Sequence, residues 1–297
     1  MRTIIGNILK ANKIFKLINN NDRICVGVSG GKDSMLLLYS LGLIKKIYKR
    51  ELNWDIEVVG IHLKMNLCHI DYEPIINFWK EQGIVFHIEE TDMGDILRAN
   101  MRKGKIQCSL CSKLKKAILI GCAKRFNCNK VAMGHHADDA IETFFMNMIN
   151  EGRIATFKPQ MYLDKEQMDF IRPLILCREK DIIKAVKQVS NMPTVPCGCP
   201  MEGFTSRDAM KDFLAEAIYN QRKTKIAYTN FLVALLNGKE FDLWFKNEDN
   251  SINPIDLRDL GINDGTYTST NKANNSNDTK EDDKKYYDDL SDFESED

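Results

Sequence analysis

Three groups of residues in this 297-residue chain have the types and spacing to do chemistry. The first is Ser29-Gly-Gly-Lys-Asp-Ser34, a glycine turn between an apolar run (Ile24, Val26, Val28) and a second apolar stretch from Met35 to Ile47. A turn in that setting aims backbone N–H groups and the positive end of a helix dipole at a phosphate. It is not a Walker A loop, because Lys32 is followed by Asp33 and no glycine stands at the required place before it. The second group is Gly134-His-His-Ala-Asp-Asp139, where a strand gives way to a helix, the position at which open α/β sheets hold ligands. Asp138 and Asp139 would also serve there as simple helix-start carboxylates. The third is Cys108-Ser-Leu-Cys111, with Cys197 and Cys199 far along the chain between Pro196 and Pro200, which stiffen the backbone. Four such thiolates could close a zinc site, whereas three could hold a 4Fe–4S cluster with one iron open. Cys25, Cys68, Cys122, Cys128 and Cys177 lack metal-ligand spacing and read as small buried apolar residues.

The elements that must position these groups alternate. Strands are expected at Arg23–Val28, Ile56–Leu63, Ile84–Ile88, Lys130–Met133 and Ile171–Leu174, with helices at Glu73–Gln82, Asp138–Ile149, Arg178–Val189, Ser206–Gln221 and Ile226–Leu236. That alternation predicts an α/β fold, a parallel twisted sheet with helices on both faces. The stretch 93–129 is longer than a simple crossover and carries the CxxC at the start of a helical pattern. The expected organisation is a basic N-terminal helix over 1–22, a nucleotide domain over 23–195 with a CxxC insertion, a cysteine segment with helices over 196–246, and a disordered acidic tail over 247–297.

Equal numbers of basic and acidic residues, 42 of each, conceal a division along the chain. Residues through Phe245 hold 36 basic and 27 acidic residues, and Lys246 onward holds 6 and 15, a net of +9 against −9. The densest basic run, Arg98 to Lys116, has seven positive residues and no negative one and encloses the CxxC, a pattern suited to attracting a nucleic-acid backbone. No secretory leader opens the sequence and no run is long enough to span a membrane, so a soluble cytoplasmic protein is expected, with thiols reduced or metal-bound.

The loop at 29–34 resembles the PP-loop of the ATP-pyrophosphatase superfamily, whose members leave AMP on a substrate and release pyrophosphate. On that resemblance Lys32 neutralises the departing pyrophosphate, Ser29 and Ser34 donate hydrogen bonds, Gly30 and Gly31 admit the phosphates, and Asp33 helps hold Mg²⁺. Gly134, His135, Asp138 and Asp139 then supply the other half of one ATP site, with Lys32, Asp33 and Asp138 as the catalytic candidates. The whole succession is similar to the tRNA 2-thiocytidine synthetase family over roughly residues 20–222. It comprises SGGKDS, CSLCSKLKK at 108–116, GHHADD followed by Ala140-Ile-Glu-Thr143, Ile171-Arg-Pro-Leu174, and Cys199-Pro200 with Gly203 after it. The resemblance implies a 4Fe–4S cluster on Cys108, Cys111 and Cys199, with Cys197 an extra thiol beside the third position. It implies adenylation of the 2-oxo group of an anticodon-loop cytidine at position 32 and its replacement by sulfur. It also implies tRNA as partner, a sulfur donor such as a cysteine desulfurase, and a homodimer. Lysidine synthetase, which shares the loop but needs no metal, and a zinc-stabilised RNA- or nucleotide-binding module are the competing expectations.

Overall fold

A computed structural model describes residues 1–236 except 68, 69, 103, 196–198, 200–202, 204 and 221–225. The expected acidic tail and Cys197 lie outside the described residues. Residues Met1–Leu232 form one compact unit, and of the second, Val233–Asp297, only the end of the last helix is described.

Six strands form one sheet: β1 (Arg23–Gly27), β2 (Glu57–Lys64), β3 (Val85–Glu90), β4 (Lys130–Ala132), β5 (Gln160–Leu163) and β6 (Met168–Ile171), in the order β3-β2-β1-β4-β6-β5. The first five in that order run parallel, so their C-terminal ends share one edge. The helices are α1 (Arg2–Phe15), α2 (Lys32–Leu52), α3 (Glu73–Glu81), α4 (Met93–Ala99), α5 (Cys108–Arg125), α6 (Ala137–Glu151), α7 (Glu179–Val186), α8 (Ser206–Leu214) and α9 (Ala227–Leu236), with a single wide helical turn at Ala215–Tyr219.

Both faces of the sheet are covered, and β2 shows how. Val59 and Ile61 pack in one cluster with Leu119, Ile120 and Ala123 of α5, while between them Gly60 faces the other way. A Cβ on Gly60 would come 2.4 Å from Leu38 of α2. Alternate side chains on a strand point to opposite faces, so α2 and α5 lie on opposite sides. The sheet centre is accordingly apolar on both faces, with Ile24, Cys25 and Val26 buried.

Two features of the sheet depart from expectation. The strand expected at Ile171–Leu174 lies at 168–171, because Pro173 has no N–H to give a ladder and residues 172–177 turn instead, with Ile175 N–H donating to Arg172 O and Cys177 N–H to Leu174 O. The sheet is also not wholly parallel: β5 pairs antiparallel with β6 through a turn in which Gln167 adopts φ +50°. Asp164-Lys-Glu-Gln167 contains no glycine or proline to announce that hairpin.

At the edge opposite the site, buried Lys130 donates to Leu17 O at 2.9 Å and pairs with Asp22 at 3.1 Å, closing the sheet's floor. Among the described residues no helix is long and apolar enough to cross a membrane.

Candidate functional site

The glycine turn between β1 and α2 is held by its own serines. Ser29 N–H donates to Ser34 Oγ at 3.0 Å, Ser34 Oγ donates to Gly31 O at 3.1 Å, and Gly31 N–H donates to Ser29 Oγ at 3.3 Å. Gly30 sits at φ +88°, a region favouring glycine, and its carbonyl accepts the Val195 N–H at 3.0 Å. A Cβ there would come 2.5 Å from Val195 Cβ, so no larger residue fits. The second motif abuts the first: a Cβ on Gly134 would come 3.1 Å from the Ser34 nitrogen at the start of α2. The α2 start has no side-chain cap, which leaves its first N–H groups for an anion.

Around this turn the charges interlock. Lys32 Nζ lies 3.2 Å from Asp33 Oδ2 and 3.0 Å from Glu179 Oε1. Burial opposes the ammonium, but the two carboxylates outweigh it and raise its pKa. Burial raises the Asp33 pKa more than Lys32 and His136 lower it, and among the described residues its buried Oδ1 accepts no hydrogen bond. His136 caps α6 reciprocally with Asp139, and Asp139 also takes Arg207 at 2.9 Å. Asp138 Oδ2 accepts the Glu179 N–H at 2.7 Å and the Tyr228 hydroxyl at 3.2 Å, so this carboxylate joins three helices. Glu142, buried beneath Arg207 and beside Asp139, has its carboxyl pushed up to about 7, chiefly by burial. His135 tilts against Phe157, its Nδ1 is buried without a hydrogen-bond partner among the described residues, and burial followed by Arg172 drives its pKa down to about 4, so it is neutral.

Every expected nucleotide-site residue, from Ser29 to Ser34 and from Gly134 to Asp139, therefore falls at one edge of the sheet. Glu179, Arg207 and Lys211 escape the sequence reading. The sole signal for the last two is their four-residue spacing on α8, which puts both on one face.

The cysteines gather separately. Cys108 and Cys111 occupy the first turn of α5, and with Cys199 they line a single cavity of about 260 Å³ walled by Met65, Leu67, Leu97 and Ile106, with Lys115 as its charged residue. Cys108 is exposed and the other two partly so, and none forms a disulfide. Three thiols on one apolar-walled cavity fit a cluster with cysteine ligands, although among the described residues they do not already converge as a three-ligand group. Cys25, Cys122, Cys128 and Cys177 are buried in the core; burial pushes the Cys177 thiol up to about 12 and raises the other three. Cys68 lies outside the described residues. Buried His62 contacts Val28 O at the foot of the loop through Nδ1 at 2.8 Å, and its pKa is lowered by burial first and also by Lys115, which lines the cavity.

A family model described as a PP-loop domain matches residues 6–192. The curated tRNA-cytidine(32) 2-sulfurtransferase of Geobacter sulfurreducens is 37% identical over 205 residues, spanning 68% of this chain and 77% of that protein. Its counterpart from Geobacter metallireducens is 33% identical over 238 residues, 80% of this chain and 90% of the relative. The chain belongs to the tRNA-cytidine(32) 2-sulfurtransferase family of PP-loop proteins. That family reading accords with the resemblance carried by the motif succession. Among solved structures, this sulfurtransferase-family chain superimposes on the U34-tRNA thiolase NcsA from Methanococcus maripaludis, solved with its [4Fe-4S] cluster, with a TM-score of 0.59 at 21% identity, covering 82% and 81% of the two chains. The likeness establishes a shared fold.

Proposed function

We propose that the protein is an ATP-dependent tRNA cytidine 2-sulfurtransferase that adenylates the 2-oxo group of the anticodon-loop cytidine at position 32 and exchanges that oxygen for sulfur. The observation that carries this reading is the placement of both sites at one sheet edge. The glycine turn follows β1, Met65 and Leu67 of the cysteine cavity follow β2, and His62 touches the turn.

A pyrimidine 2-oxo group leaves poorly until it is esterified, so its oxygen attacks the α-phosphate of ATP and pyrophosphate departs; when sulfur then bonds to C2, the C2–O bond breaks and the oxygen leaves with AMP. Ser29, Ser34 and the N–H groups opening α2 hold the phosphates, and Lys32 stabilises charge growing on the leaving pyrophosphate. Mg²⁺ fits Asp33, whose buried Oδ1 accepts no hydrogen bond among the described residues, with Asp139 beside it. Cys108, Cys111 and Cys199 would hold a 4Fe–4S cluster, which when bound supplies the sulfur-carrying chemistry. The apolar wall of Met65, Leu67, Leu97 and Ile106 keeps water from the activated base. Neutral His135 shapes the pocket without repelling Mg²⁺.

For tRNA, the basic run is less uniform than its sequence. Arg98 is engaged by Asp95 and by Asn66 O, and Lys116 lies over the Phe170 ring, while exposed Arg102 and Lys105 precede the CxxC helix and face solvent. These last two are assigned to phosphates of the anticodon arm, whose unstacked loop bases can be splayed into a site. A cysteine desulfurase as sulfur source, a homodimer and cytoplasmic residence complete the proposal.

The test is anaerobic purification followed by iron, labile-sulfide and zinc analysis, with nucleoside analysis of tRNA incubated with ATP and a sulfur source. Bound iron and sulfide with 2-thiocytidine in the tRNA are expected. A colourless zinc protein, or lysidine in place of thiocytidine, overturns the reading.

A further inference from the structure

Glu179 opens α7 with its carboxylate gripped from two sides. Lys32 from the glycine turn lies 3.0 Å from Oε1, and Lys211 from α8 lies 2.6 Å from Oε2. Burial works against the carboxylate's charge, yet the two ammoniums hold its pKa below the ordinary value. Two cations of different origin thus converge on one anionic group beside the residues assigned to phosphate. The two oxygens of a carboxylate are spaced much like two oxygens of one phosphoryl group, so a pair of ammoniums arranged for the first can receive the second. The main chain of Glu179 is held by Asp138 through its N–H, whereas its carboxylate is held through the side chains of Lys32 and Lys211.

We propose that Lys211 is a second phosphate-binding cation of the nucleotide site, one that pairs with Glu179 until the β- and γ-phosphates of ATP displace that carboxylate and take both lysines. This rests on the reading that the glycine turn binds ATP. Lys32 and Lys211 then bind the pyrophosphate portion together, the glycine turn from one side and α8 from the other. Because AMP lacks that portion, Lys211 distinguishes triphosphate from monophosphate.

The experiment measures binding of MgATP, inorganic pyrophosphate and AMP to the full-length protein by calorimetry. In Lys211→Ala, ATP and pyrophosphate affinity are expected to fall about tenfold, the worth of one charge-assisted contact, with AMP affinity nearly unchanged. Lys211→Arg, which keeps the charge, should restore most of the loss. Glu179→Gln, which removes the competing charge, should tighten ATP and pyrophosphate. A merely structural tie between α7 and α8 would instead shift all three ligands equally, or none, and either result in Lys211→Ala overturns the proposal. Absence of ATP binding by the unaltered protein overturns the nucleotide-site reading itself, and this inference with it. Lys211 has half its side chain exposed, so its truncation is compatible with folding, and unchanged circular dichroism verifies it.

Discussion

The nucleotide turn and the cysteine cavity stand at the same edge of one sheet, yet they are built by different physics. The turn is assembled from hydrogen bonds among its own atoms, with Ser29, Gly31 and Ser34 bonded to one another and Val195 sealing Gly30. The cavity is assembled from apolar contact: Met65, Leu97 and Ile106 pack behind two cysteines on α5, and the third thiol arrives from residue 199. A hydrogen-bonded turn has its binding geometry before a ligand arrives. An apolar cavity fixes the surroundings of its thiols and leaves their mutual geometry adjustable. The first arrangement suits repeated capture and release of a charged nucleotide, the second a tightly held group that brings its own geometry.

The two sites can therefore be broken separately. The largest effect is expected from Cys111→Ala, which should abolish bound iron and thiolation together while ATP affinity stays within about twofold, the additivity expected of separately built sites; iron analysis and calorimetry on one preparation check it. A large parallel fall in ATP affinity would mean that the two sites are not independent. Lys32→Ala should do the reverse, lowering turnover on the order of 10²-fold or more through lost stabilisation of the leaving group, with iron content intact. Gly30→Ala, forced into positive φ against Val195, should cost about 1–3 kcal/mol in denaturant unfolding and weaken ATP without altering iron. The smallest effect concerns pH. Because the folded-state pKa of Glu142 is raised from 4.5 to about 7, the folded protein holds a proton that the unfolded chain releases, and this contribution to stability is lost as pH rises through that window. His135, lowered from 6.5 to about 4, works oppositely, its contribution growing over that interval. Melting temperatures of Glu142→Gln across pH 4–8 should therefore lose the declining component and keep the rising one.

The same contrast explains what could be read from the sequence. The turn was legible because a strand, two glycines and a helix are contiguous, and residues 29–34 carry the local signal entire. Strand alternation likewise fixed the parallel part of the sheet. The hairpin of β5 and β6 was not legible, since Gln167 takes a left-handed conformation without a glycine to mark it. Nor were Glu179, Arg207 and Lys211, whose meaning depends on partners far off in the chain and is set by packing of α6, α7 and α8. The CxxC was visible as a pair of ligands, but its union with Cys199 in one cavity needed both family resemblance and tertiary structure.

The seal of Val195 on Gly30 bears on how the chain reaches its native state. The two residues are far apart along the chain, so the turn that is complete in sequence by residue 34 gains this backbone partner only after all six strands have been laid down. Contacts so distant along the chain form late, after the loop-closure entropy between them has been overcome. During synthesis, a chain that has emerged only through β4 carries the full glycine motif with Gly30 O still facing water. Nucleotide affinity should therefore appear late in folding and report completion of the body rather than formation of the motif.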